Sequence, residues 1–233
     1  MAAFLVIEAT SISPLMPLGL FRHRNLTIAN VAGVLWCASM FAWFFMSALF
    51  MQLVLGYSAL QVGLAFLPAN VIMGAMSFSL SAKLVNRFGI RLPIVGGLFL
   101  VAAGLGLFAL APEGGSFLVH VLPAMSLLGL GCGTALNPVM LAAMNDVEPS
   151  QSGLASGVVN TSFMMGGALG LAVLASAAAG RTETLLAAGR EARAALNAGY
   201  HVAFVVAAIF ALVGAALGVL LRPALQQGLP AAH

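Results

Sequence analysis

Charge is what this sequence has least of: Asp, Glu, Lys and Arg make up 6% of its 233 residues, while 62% are hydrophobic. Its mean hydropathy is +1.08. A water-soluble chain carries roughly a quarter charged residues, because its surface must be solvated. That scarcity excludes an ordinary soluble domain and makes lipid the main solvent. Cysteine is nearly missing as well. Cys37 and Cys132 each lie inside an apolar run, no CxxC pair exists, and His23, His120, His201 and His233 share no ligand spacing. Neither a disulfide framework nor a zinc site is expected, and no cofactor or metal is implied. The formal charge of +3 comes from nine basic residues scattered between apolar runs. Nucleic acid, which needs a basic stripe on a folded polar surface, is therefore not an expected partner.

What is present is a series of long apolar runs, near Ile28–Leu55, Leu60–Ala82, Leu92–Ala111, Phe117–Ala143, Leu154–Ala179 and Tyr200–Leu221. Each is long enough to cross a bilayer, and the runs are continuously apolar rather than alternating, which implies helices and not barrel strands. The expected fold is all-α, a polytopic membrane bundle of about six spans, with the lipid bilayer as its first partner. Turn chemistry separates the spans at Gly56–Ser58, Pro112–Ser116 and Asn145–Ser150, and the polar stretch Gly180–Gly199 reads as the longest connection. Arg22 and Arg24 precede the first span, Lys83, Arg87 and Arg91 fall between the second and third, and Arg222 follows the last. The positive-inside rule makes that side cytoplasmic and leaves Arg181, Arg190 and Arg193, offset by Glu183 and Glu191, outside. Met1–Ile7 is too short to span and lacks the marks of a secretory signal, so it reads as the last turns of a helix whose beginning is missing. The expected organisation is thus a helix remnant and cytoplasmic lead-in over 1–25, the bundle over 26–222, and a cytoplasmic tail over 223–233.

Two enzymatic readings fail on geometry. Gly129-Leu-Gly131-Cys-Gly133 has glycines as a dinucleotide-binding turn does, but no strand precedes it and the spacing is GxGxG. Small residues four apart in an apolar run let membrane helices approach closely, and Gly153/Gly157, Gly166/Gly170 and Gly214/Gly218 repeat the pattern. A rhomboid-type protease needs a GxSG serine and a nearby histidine. Here Gly153-Leu-Ala-Ser156-Gly157 has one residue too many, and Ser156 and His201 fall at opposite membrane faces. No enzyme is expected.

The residues left are uncharged polar groups beside helix kinks. Asn70 follows Pro68, Asn137 precedes Pro138, and Asn160 lies in the fifth run. Proline frees a carbonyl four residues earlier, which an Asn or Thr134 nearby could satisfy. The functional alternative is a solvent-accessible cavity lined by these groups. Trp36, Met40, Trp43, Phe44 and Ser47 form a broad face in the first span, suited either to packing or to flat lipophilic and cationic compounds. Glu113, Asp146, Glu148, Glu183 and Glu191 all read as loop residues, so no span carries the buried carboxylate that proton-coupled carriers commonly use.

Several motifs together resemble the fourteen-helix drug:proton antiporter branch of the major facilitator superfamily, from about Pro14 to Leu221. They are Pro17-Leu-Gly-Leu-Phe-Arg22, Val54-Leu-Gly-Tyr-Ser58 with Leu60-Gln-Val-Gly63 and Leu67-Pro68, and Gly153–Gly157 with Asn160-Thr161 and Gly166–Gly170. Lys83-Leu-Val-Asn86-Arg87-Phe-Gly89-Ile-Arg91 resembles the superfamily's basic gating loop, with Asn86 where an Asp is usual. Phe163-Met164 replaces an Arg-Gln pair found in many relatives. The resemblance implies the C-terminal half of a carrier, with coupling carboxylates in the other half. It implies alternating-access export of a small lipophilic or cationic substrate across a bacterial cytoplasmic (inner) membrane, in partnership with a missing N-terminal half or as a homodimer. The expected substrate set is Trp36, Met40, Asn70, Asn137 and Asn160, and the expected gate is Lys83, Arg87, Gly89 and Arg91. A non-transporting assembly partner or a degenerate remnant is the competing class.

Overall fold

The computed structural model describes residues 24–144 and 152–221. The N-terminal remnant, the motif ending at Arg22, the Asn145–Ser150 turn and the C-terminal tail lie outside the described residues. Among the described residues six helices follow one another, each long and apolar enough to cross a membrane. Helix α1 comprises Arg24–Phe41, one π-helical turn at Ala42–Met46, and Ser47–Leu53. Helix α2 comprises Ala59–Ala75, a π turn at Met76–Leu80, and Ser81–Phe88. Helix α3 is Arg91–Ala109; α4 opens with a π turn at Phe117–Val121 and runs over Leu122–Met144; α5 is Ser152–Ala187 and α6 is Ala192–Val219. No strand occurs among the described residues.

The predicted spans are all present, but the end of α2, the end of α5 and the start of α6 move. Helix α2 does not stop at Ala82. It continues through Lys83 and Arg87, both exposed. Gly89 ends it, with φ +71° and ψ −178°, a backbone conformation open essentially to glycine alone. The supposed long connection Gly180–Gly199 shrinks to the turn between Ala187 and Ala192. Helix α5 runs on because nothing in Arg181–Ala187 breaks a helix, and Gly189, at φ +76°, makes the turn. Falling hydropathy marks where a helix leaves the lipid, not where it ends. At the start of α2, Ser58 and Gln61 form a reciprocal capping box that satisfies two orphan donors.

Packing sorts the helices into an inner and an outer set. Helix α4 packs on α1, α2 and α3; α6 packs on α1, α3 and α5; α1 also packs on α5. About half of the apolar stretch is buried in α1, α3 and α4, against 17% in α2 and 28% in α5. Those two therefore form the periphery. An aromatic knot joins α1, α3 and α6: Phe50 meets Phe108 and Phe204 edge-on at 6.1 and 5.8 Å, and Phe108 stacks on Phe204 at 5.1 Å. Lipid offers helices no hydrophobic incentive to associate, so close van der Waals contact must hold them. The GxGxG run in α4 supplies it on two faces. A Cβ on Gly129 or Gly133 would stand 2.4 or 2.5 Å from the backbone oxygens of Ala69 and Met73 in α2. One on Gly131 would stand 2.6 Å from the oxygen of Gly97 in α3. The motif packs helices, as its spacing indicates. The repeats differ among themselves: Gly166 and Gly170 press on Val34 and Ala38 of α1, while Gly153 and Gly157 have nothing within 4 Å.

Candidate functional site

Among the described residues, clefts at three places lie between the helices, and the polar residues distribute unevenly among them. The first, about 470 Å³, separates the Gly89 end of α2 from the end of α4 and is lined by Ser81, Asn86, Asn137, Met140 and Met144 among others. Its geometry follows from the π turn in α2. The backbone N–H of Ser81 reaches back five residues to the Met76 carbonyl rather than four to Ser77. Asn137 Nδ2 donates to that Ser77 oxygen at 2.8 Å and lies 3.2 Å from Ser77 Oγ. Asn137 thus satisfies a carbonyl, but on another helix rather than beside Pro138. Thr134 donates to the Leu130 carbonyl, also not the group that Pro138 frees.

The other expected substrate residues are dispersed. Trp36 is 3% exposed, and its indole N–H has no partner among the described residues. Met40 is half-buried one turn further along α1; Asn70 is half-buried on α2 and Asn160 is exposed on α5. Of the five, only Asn137 lines any of the three clefts. Trp43 is fully buried and donates its indole N–H to Met125 Sδ at 3.0 Å. Phe44 stacks on Phe66 of α2, with ring centroids 5.4 Å apart. The aromatic face of α1 is therefore largely engaged in packing at this point.

A second cleft, about 330 Å³, lies where α1, α5 and α6 meet and is lined by Phe45, Met46, Thr182, Glu183 and Tyr200 among others. Glu183 corrects the reading that every acid sits in a loop. It lies inside the continuous helix α5 and is the one carboxylate on a span among the described residues. The absence of Gly and Pro from Arg181 to Ala187 was the signal that could have placed it there. A third cleft, about 430 Å³, is lined by Tyr57, Gln61, Leu64, Pro68 and Phe117.

At the Gly89 end, Lys83 and Arg87 occupy the last two turns of α2 and Arg91 opens α3, all three exposed. The Arg87 guanidinium lies 5.3 Å from the Phe88 ring centre. What was read as a gating loop is therefore a helix end, a glycine break and a helix start. The opposite end is tied by side chains. Arg193, in the first turn of α6, donates through Nε to the Val54 carbonyl at 2.7 Å and through Nη2 to the Glu113 carbonyl at 3.1 Å. His201 Nε2 donates to the Ala111 carbonyl at 2.8 Å. One cation thus caps the open end of α1 and holds the α3–α4 turn.

A protein-family profile described as Major Facilitator Superfamily matches residues 6–171. The chain is 35% identical to the puromycin resistance protein pur8 of Streptomyces alboniger over 214 residues, 91% of this chain and 42% of that protein. It is 35% identical to the cephamycin export protein CmcT of Amycolatopsis lactamdurans over 230 residues, 98% of this chain and 46% of that protein. It is 33% identical to the multidrug resistance protein Stp of Mycobacterium tuberculosis over 177 residues, 75% of this chain and 32% of that protein. The chain spans less than half the length of each of these relatives.

Proposed function

The chain belongs to the Major Facilitator Superfamily, and from that premise we propose that it forms the C-terminal half of a proton-coupled exporter of small lipophilic or cationic compounds. The observation that carries this reading is its similarity, 35% identity across nearly its whole length, to proteins named for puromycin resistance and cephamycin export. The half works by alternating access, rocking against a second bundle around a shared cavity, and performs no covalent chemistry. It resides in a bacterial cytoplasmic membrane with Lys83, Arg87, Gly89 and Arg91 at the inner gate, which puts both ends of the six-helix unit inside. Met40, Asn70, Asn137 and Asn160 face the substrate path. Trp36, buried with an unpartnered indole N–H, is the member of the set that needs a helix displacement to meet substrate. Under this orientation Glu183 stands at the outer end beside Phe45 and Tyr200, where a carboxylate and two aromatic rings suit a departing lipophilic cation.

The test is export by a complete carrier containing this chain, in efflux-deficient bacteria, read as puromycin and ethidium accumulation. The expected result is lowered accumulation that collapses with the proton gradient. Replacing Asn70, Asn137 and Asn160 by Leu together should abolish it. Unchanged accumulation with the complete carrier would sink the transport reading, and unchanged export by the triple variant would sink the residue assignment alone.

A further inference from the structure

The cleft between the Gly89 ends of α2 and α4 holds a hydroxyl that the fold leaves unused. Ser81 is fully buried, lines that cleft, and its Oγ has no hydrogen-bond partner among the described residues. A serine or threonine inside a helix ordinarily donates to the carbonyl four residues back. Ser39, Ser126, Thr134, Thr182 and Thr184 all do so here, to Leu35, Leu122, Leu130, Ala178 and Gly180. Ser81 does not; its counterpart carbonyl, Ser77 O, accepts from Asn137 Nδ2. With Nδ2 committed to Ser77, Asn137 has its amide oxygen left as an acceptor within the same cleft. The remaining wall is apolar or thioether, from Val85, Met140, Leu141 and Met144, and Asn86 is the further polar group. Among the described residues no ionisable side chain lines the cleft. A charged guest would be desolvated there without a counter-charge, whereas a neutral one with a carbonyl would give Ser81 its missing partner. At about 470 Å³ the volume is in the range of small-molecule sites.

We propose that this cleft is a binding site for an uncharged lipophile bearing an amide or ester carbonyl, whose oxygen accepts from Ser81 Oγ while a donor on the same molecule meets Asn137 Oδ1. It deepens the exporter reading, on which it rests for its place in transport, by naming uncharged carbonyl compounds as the class this half receives at its Gly89 end.

The test uses membranes bearing the full chain, with radiolabelled chloramphenicol as an uncharged amide probe and tetraphenylphosphonium as a cation of comparable lipophilicity. Excess unlabelled chloramphenicol should displace the bound label from these membranes, and tetraphenylphosphonium should not. Ser81→Ala should weaken chloramphenicol binding about tenfold, the loss of one buried hydrogen bond, and Ser81→Thr should restore it. Equal displacement by the cation, or unchanged affinity in Ser81→Ala, would overturn the proposal. Ser81-dependent binding without export by the complete carrier would sink the exporter reading and leave the site standing. Export with no Ser81-dependent binding would do the reverse.

Discussion

Replacing Gly131 by Ala should destabilise the bundle out of proportion to the one methyl group added. The new Cβ would stand 2.6 Å from Gly97 O, 2.7 Å from Val101 N and 2.9 Å from Val101 Cγ2. Ordinary van der Waals contact begins near 3.4 Å, so α3 and α4 would have to part by about 0.8 Å. Two of the three obstructing atoms are backbone, so no rotamer change relieves the clash. Overpacking of this kind costs about 1–3 kcal/mol. The Gly→Ala gain in helix propensity, roughly 0.5–1 kcal/mol, offsets only part of it. Gly96 is the internal control, since it lies on the same helix as Gly97 and a Cβ there meets nothing within 4 Å. The chain carries its own reporters: Cys37 and Cys132 are 1% and 0% exposed, so a fluorogenic maleimide reads unfolding as they emerge. Gly131→Ala should lower the unfolding midpoint by roughly 2–8 °C, while Gly96→Ala should hold or raise it. Equal midpoints for the two variants would refute the claim that backbone contact at Gly97/Gly131 sets the α3–α4 distance.

Two further outcomes follow from the helix ends. Gly89→Ala forces a side chain into a backbone region that disfavours it by about 1–3 kcal/mol. With open space around the site, the effect should be confined to the α2–α3 turn and show as faster cleavage there by an added protease, with the core midpoint little changed. Arg193→Met should release the Val54 and Glu113 carbonyls together, losing about 1–2 kcal/mol after allowance for solvent exposure. Hydrogen exchange should then quicken at both the α1–α2 and the α3–α4 turns. Arg193→Lys, lacking the planar fork, should rescue one turn at most.

The spans were legible in the sequence because each is a long apolar run, and lipid tolerates no other element there. Their ends were less so. Lys83, Arg87 and Glu183 read as loop residues on hydropathy, yet all three are helical, because Gly89 and Gly189 decide where the backbone turns. The glycine spacing in α4 was read correctly as packing, since contact between helices depends on which face a residue occupies and the period of the helix supplies that. The partner of Asn137 was not legible. It depends on a π turn at Met76–Leu80, an insertion of one residue into the helical count that leaves no mark in composition or period. Ser81 was passed over for the same reason, being an ordinary helix serine until that turn redirects the carbonyl it would use.

Helix α3 has 19 residues where every other span has at least 27. At 1.5 Å per residue it reaches about 28 Å, close to the hydrocarbon thickness of a bilayer. It is also among the most enclosed helices, held between α4 and α6. The longer helices adjust to a thicker or thinner membrane by tilting or protruding, but α3 has no spare length, and Arg91 closes one of its ends. The shortest rod in the bundle therefore acts as the gauge. A bilayer much thicker than about 28 Å would strain this helix before any of its longer neighbours.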